Sequence, residues 1–134
     1  MNLSEQIKQF LKSPVFGVAG ASSRPHKFGN KIMRCYLEKN LQAIPVHPAE
    51  QVIEGIDCVA SVSELPDEVN SLSIITPPQI TNKVVEQAIA GGIENIWMQP
   101  GAESAEAVEL CKEKGVNLIY GGPCLLVSLG FQNH

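Results

Sequence analysis

The stretch Gly20-Ala21-Ser22-Ser23-Arg24-Pro25-His26-Lys27-Phe28-Gly29-Asn30 brings together two glycines, two hydroxyls and two fixed cations. Those residue types suit a phosphate or pyrophosphate. Gly17 and Gly20 let a backbone approach closely, Ser22 and Ser23 donate through hydroxyls, and Arg24 and Lys27 supply charge-assisted contacts. If the stretch runs into a helix, the unpaired N–H groups of the first turn add a positive dipole end. A solvated turn whose glycines only allow a strand and a helix to pack is the alternative use. The spacing Gly17-x-x-Gly20 is not the dinucleotide fingerprint Gly-x-Gly-x-x-Gly, and no Gly-Lys-Ser/Thr marks a P-loop.

Three further segments carry stiff, mostly apolar chemistry: Pro45-Val46-His47-Pro48, Thr76-Pro77-Pro78 and Trp97-Met98-Gln99-Pro100-Gly101. Proline fixes φ and removes a donor, so such segments make rigid walls suited to a flat adenine or a pantetheine arm. Ordinary turn chemistry explains any one of these prolines, but five of them fall at or beside expected strand ends. Gln99 and the N–H groups beyond Gly101 stand where a polar ligand could be read, or where a helix simply begins. A dinucleotide fold generally ends its second strand in Asp or Glu to hold ribose hydroxyls, and here that position reads Pro45-Val46-His47-Pro48. Cys35, Cys58, Cys111 and Cys124 contain no Cys-x-x-Cys pair, and His26, His47 and His134 add no metal-ligand spacing. The thiols read as reduced, packed side chains. Glu103, Glu106 and Glu109 read as a solvated helix face, and the lone Trp97 as core or subunit interface.

The elements that must hold these segments follow from periodicity. Leu3, Ile7, Phe10 and Leu11 predict an amphipathic helix over 4–12, stopped by Ser13-Pro14. Short apolar runs predict strands over 15–20, 41–46, 72–75, 95–98 and 116–120. Helical spacing predicts helices over 29–39, 79–90 and 103–114, the last two followed by glycine. Residues 49–70 are less regular, with a short strand near Cys58 and one helical turn near Ser63. Strands alternating with helices over short connections imply right-handed βαβ crossovers. The expected fold is α/β: a single Rossmann-like, doubly wound, mainly parallel sheet of about five strands with helices on both faces. Ligands of such sheets sit beyond the carboxyl ends of the strands, where the three segments and the first loop all fall.

Composition narrows the function classes. The chain has 134 residues, ten Lys plus Arg against fourteen Asp plus Glu, a net charge of −4, and 44% hydrophobic residues. That size predicts one domain over 1–134, with a helix over 1–13 and an apolar tail over 125–134. A protein that neutralises phosphates of nucleic acid is usually basic, so no nucleic acid is expected. Lys8, Lys12 and Glu5 interrupt the N-terminal apolar residues, and no run reaches membrane-span length. A cytoplasmic protein without membrane association is expected. The tail from Leu125 to Phe131 would be costly to expose and is expected to pack on the fold, on a second subunit or on another protein.

Taken as a set, Val18-Ala19-Gly20-Ala21-Ser22, Lys27-Phe28-Gly29, Pro45-Val46-His47-Pro48, Thr76-Pro77-Pro78 and Trp97-Met98-Gln99-Pro100-Gly101 resemble the CoA-binding domain family. The likeness is to its small free-standing bacterial and archaeal members and to the N-terminal domain of the succinyl-CoA synthetase α subunit. It spans about residues 14–125. The resemblance implies coenzyme A or an acyl-CoA lying across the strand ends. Gly20, Ala21, Ser22, Ser23, Arg24 and Lys27 would then meet phosphates. Val46, His47 and Pro48 would flank the nucleotide, with His47 where the family often has Asn. Thr76, Pro77, Pro78, Met98 and Gln99 would line the side nearer the adenine or pantetheine. After the last strand, Gly121-Gly122-Pro123-Cys124 departs from the Asp-Arg-Cys of many free-standing members and is closer to the synthetase's Gly-Pro-Asn-Cys. The synthetase's phosphorylated His belongs to another domain, so ligase chemistry is not carried over.

Three functions remain in view. The leading expectation is a CoA-binding or regulatory module with no catalysis of its own. The second is an enzyme: a NAD(P)-binding reductase-like domain, or a subunit completing an acyl-CoA ligase in trans. The third is a protein-interaction module with a vestigial site, whose acidic surface and tail serve a homodimer or another partner.

Overall fold

A computed structural model of the chain describes residues 1–132; Asn133 and His134, the end of the expected tail, lie outside them. Strands β1 (Val15–Ala19), β2 (Gln42–Val46), β5 (Val69–Ile74), β6 (Asn95–Met98) and β7 (Asn117–Ile119) form one sheet in the order β2-β1-β5-β6-β7. Every neighbouring pair in it is parallel, as expected. Between β2 and β5 a small hairpin joins β3 (Val52–Ile53) to β4 (Ile56–Asp57). Glu54 and Gly55 have φ of 50° and 78°, the two positive values that a tight primed turn demands. This hairpin replaces the single short strand expected near Cys58. Val59 is tied instead to the open edge of β2, donating to Pro45 O and accepting from His47 N–H.

Helices α1 (Leu3–Phe10), α2 (Phe28–Glu38) and α5 (Leu125–Ser128) cover one face; α3 (Pro78–Ala90) and α4 (Ala105–Glu113) cover the other. Strand alternation divides the core between the faces. Phe16, Val18 and Trp97 point to the first, while Val15, Ala19, Ile96 and Met98 point to the second. Asn2 caps α1 in a reciprocal capping box with Glu5, so the helix begins one residue earlier than periodicity predicts. Ser104 caps α4 and moves its start from 103 to 105.

Strand β5 begins three residues before the predicted 72. Polar Asn70 and Ser71 hid its start from a hydrophobicity reading, yet Ser71 and, inside the predicted run, Ser73 are buried with partners. Ser71 donates to Phe10 O at 2.6 Å, and the Ser73 hydroxyl lies 2.6 Å from the Tyr36 hydroxyl. Burial pushes the Tyr36 phenol far above its usual range. Tyr36→Phe therefore leaves a lone hydroxyl in the core. We expect urea unfolding to show a loss of about 1–3 kcal/mol, part of which a second change, Ser73→Ala, restores.

The strand order dictates where a ligand can enter. From β1 the chain moves outward to β2, then crosses back to β5 on the opposite side of β1. Loops leaving the carboxyl ends of β1 and β5 thus diverge, and a crevice opens between them.

Candidate functional site

Gly20 ends β1 with φ of 95°, and a side chain there would meet the backbone of Ile75 and Thr76 at about 3 Å. Gly29, in the first turn of α2, lies against the Gly20 carbonyl: a Cβ on it would stand 2.0 Å from that oxygen. The two glycines therefore hold the first loop in a tight fold at the carboxyl end of the sheet. No side chain caps α2, whose N-cap residue is Lys27, so its first N–H groups are left to solvent or ligand.

A cleft of about 490 Å³ opens at this crevice. Its floor is Ala19, Gly20 and Ala21 from the end of β1, with Thr76 after β5. One wall is Val46, His47 and Pro48 after β2, continued by Ala60, Ser61 and Val62. The other wall is a stripe of α3: Ile80, Lys83, Val84 and Gln87. Apolar atoms dominate, and Lys83 is the one charged side chain among the lining residues. The His47 ring is fixed by its own turn, Nδ1 accepting from Ala49 N–H at 3.0 Å and Glu50 N–H at 2.9 Å. An asparagine side-chain oxygen can accept in the same kind of turn, so the ring takes the place of an Asx side chain. Thr76 is steadied by its hydroxyl contact with Thr81 at 2.8 Å.

Of the residues singled out from the sequence, the cleft gathers Gly20, Ala21, Val46, His47, Pro48 and Thr76. Ser22, Ser23, Arg24 and Lys27 follow in the same loop but do not line it. The Ser22 hydroxyl accepts from Arg24 N–H, and Ser23 donates to the Glu50 carboxylate at 2.5 Å. The side chains of Arg24 and Lys27 are exposed. Pro77 and Pro78 are exposed at the start of α3, as N-cap and first helical residue.

Met98 and Gln99 stand apart from the cleft. Met98 is fully buried in the core beneath α3 and α4. Gln99 is fully buried as well, its Oε1 accepting from Leu125 N–H at 2.9 Å, and its Nε2 finds no partner among the described residues. Reading the cleft from sequence missed Ala60, Ser61, Val62 and the α3 stripe. The stripe had a signal, since 80, 83, 84 and 87 follow helical spacing beside the core positions Thr81, Val85 and Ala88.

Glu103 is not a solvated face residue. Its carboxylate accepts from Gly101 N–H at 2.9 Å and Gly121 N–H at 3.3 Å, bridging two loops. Trp97 is core, with Nε1–H donating to Pro123 O. All four cysteines are free thiols; burial pushes Cys35 and Cys111 up to about 11, far from a reactive thiolate. The C-terminal segment packs on the fold through Leu125, Leu126 and Leu129, leaving Val127 81% exposed. Among the described residues no group of His, Cys, Asp and Glu is arranged to hold a metal ion. No helix among the described residues is long and apolar enough to cross a membrane. A second hollow, about 340 Å³, opens at the amino-terminal end of the sheet around Gln9, Glu94 and Asn117, away from where this sheet type binds ligands.

A doubly wound parallel sheet with an apolar cleft at its switch point defines a Rossmann-like α/β protein. Residues 15–130 match the family described as CoA binding domain, and the chain belongs to that family. It is 25% identical over 115 residues to the uncharacterized protein YneT of Bacillus subtilis, covering 85% of both chains. It is 29% identical over 129 residues to acetate–CoA ligase (ADP-forming) I of Archaeoglobus fulgidus, spanning 89% of this chain and only 19% of the ligase. Among solved structures, a conserved hypothetical protein from Pyrococcus furiosus superposes with a TM-score of 0.81 and 36% identity, covering 84% of this chain and 97% of that one.

Proposed function

We propose that the chain binds coenzyme A or an acyl-CoA across the carboxyl ends of its strands, as a binding or regulatory module without catalysis of its own. The cleft between the β1 and β5 loops carries this reading. It gathers Gly20, Ala21, Val46, His47, Pro48 and Thr76, which belong to three of the five segments that resemble CoA-binding domains. Membership of the family supports it, and so does the kinship with a ligase whose name includes CoA. Apolar walls suit adenine and the pantetheine arm, while the uncapped start of α2 with Arg24 and Lys27 nearby suits phosphates.

The test is ligand-linked stability. CoA at a hundredfold excess over its Kd is expected to add about 2.7 kcal/mol to the folded state, read as a raised melting temperature. NAD and ATP at equal concentration are expected to add less. Calorimetric titration showing neither heat nor saturation with CoA or acetyl-CoA would overturn the reading and leave a protein-interaction role.

One observation favours a second reading, a NAD(P)-binding domain. The Glu50 carboxylate lies on Ser23 of the first loop, and its Oε2 is shielded without a partner among the described residues. In dinucleotide folds a carboxylate at the end of the second strand holds ribose hydroxyls, and Glu50 stands four residues beyond that position, outside the cleft lining. Greater stabilisation by NAD than by CoA would select it.

A further inference from the structure

Two groups in the cleft take no part in holding the fold. Nδ1 of His47 accepts two backbone N–H groups, so its lone pair lies there and the proton of the neutral ring lies on Nε2. That Nε2–H is a donor on a ring the turn holds still, and it has no partner among the described residues. Lys83, on the α3 wall, makes no hydrogen bond or ion pair with any described residue. The rest of the two walls is chiefly Val46, Pro48, Ala60, Val62, Ile80 and Val84, with Ile80 49% exposed.

We propose that Lys83 and His47 form a subsite for a phosphomonoester on the adenosine ribose. The inference rests on the CoA reading and deepens it. Positive charge near the crevice falls in two separate places: Arg24 and Lys27 on the first loop, which do not line the cleft, and Lys83 on α3, which does. NAD and ADP carry only a pyrophosphate and would use one such place. CoA carries a pyrophosphate and a separate 3′-phosphate on its ribose, and so can engage both. The first loop also has carboxylates against it, with Glu50 on Ser23 and Glu54 on Asn30. A second phosphate is therefore better received at Lys83, where the lining holds no acid. A fixed N–H donor opposite a mobile ammonium gives direction as well as charge.

The phosphomonoester chemistry has two sources, the 3′-phosphate of CoA and the 2′-phosphate of NADP, and the experiment separates them. The full chain is titrated calorimetrically with CoA, 3′-dephospho-CoA, NADP and NAD, as wild type, Lys83→Met and His47→Asn. Met keeps the length of the side chain without its charge, and Asn keeps an acceptor for the Ala49 and Glu50 N–H groups while removing the Nε2–H. Wild type is expected to bind CoA about tenfold or more tightly than dephospho-CoA. Lys83→Met is expected to weaken CoA by about ten- to a hundredfold and leave dephospho-CoA within about twofold. His47→Asn should shift the same ratio in the same direction by less. A Lys83→Met ratio equal to that of wild type overturns the subsite while the CoA reading stands. Wild type that binds no CoA, but prefers NADP to NAD through Lys83, supports the subsite and overturns the CoA reading. Wild type indifferent to the phosphate in both pairs overturns the subsite outright.

Discussion

Gly29→Ala is expected to lower stability by about 3 kcal/mol or more, and to abolish ligand binding in whatever protein still folds. A Cβ at this position stands 2.0 Å from the Gly20 carbonyl oxygen and about 3 Å from Ala21 Cα, so backbone rather than a yielding side chain must move. Overpacking costs about 1–3 kcal/mol where side chains can give, and more where they cannot. The movement separates the start of α2 from the end of β1, and that junction is the floor of the cleft. Gly91→Ala provides the comparison. Gly91 ends α3 with φ of −85°, and its Cβ would lie 3.4 Å from Gln87 O, an ordinary contact. There the change is expected to stay within about 1 kcal/mol and to favour the folded state by restricting the unfolded chain. Urea denaturation of both variants measures the contrast, and equal midpoints would show that the first loop tolerates displacement.

The contrast shows what kind of information local sequence carries. Gly20 is readable as a close-approach residue because it ends an apolar run and precedes a helix. Gly29 matters through a contact with a residue nine positions away, and nothing in its immediate neighbours announces that. The sheet was legible for the same reason as Gly20: runs such as Val15-Phe16-Gly17-Val18-Ala19 are buried along their whole length, and parallel strands covered on both faces must be. The early part of β5 was not, because Ser71 satisfies its hydroxyl against Phe10, a partner 61 residues away. Placement at the ends of strands correctly directed attention to the rim of the sheet. It could not say on which side of the rim the cleft lies, since that depends on the strand order.

Met98 and Gln99 illustrate the point. Their position after β6 places them at the carboxyl end of the sheet, but the cleft lies at the β1–β5 switch, toward β2 and α3. Strand alternation sends Met98 into the core, and the chain returning after β7 brings Leu125 N–H onto Gln99, a contact 26 residues apart. The α3 wall escaped notice for a related reason. Helical spacing puts Val84 beside the core positions Val85 and Ala88, but a stripe facing a core and a stripe facing a ligand have the same spacing. Ile80 and Lys83 extend the stripe past what the core can cover, and only their exposure separates the two uses.

Trp97→Ala is expected to cost about 3–5 kcal/mol, a large share of the stability of a domain this size. The side chain is fully buried and meets Phe10 edge to face, with ring centroids 5.3 Å apart, while Phe10 stacks on Phe16 and Phe16 on Tyr36. Removing the indole therefore opens a cavity at one end of a four-ring cluster joining α1, β1, α2 and β6. The indole has a second function that Trp97→Phe isolates: its Nε1–H donates to Pro123 O at 3.0 Å. Together with Leu125 N–H on Gln99, that bond fastens the segment between β7 and α5, which leaves the sheet through Gly121 and Gly122, both at positive φ. Phe retains most of the packing and loses the bond, so its global cost should be smaller, about 1–3 kcal/mol. Its particular mark should be faster amide exchange at Leu129, Gly130 and Phe131, whose N–H groups bond to Leu125, Val127 and Leu126. A Trp97→Phe protein whose exchange rises evenly over β1, β5 and β6, with no excess at those three amides, would show that the indole contributes packing alone and does not hold the C-terminal segment.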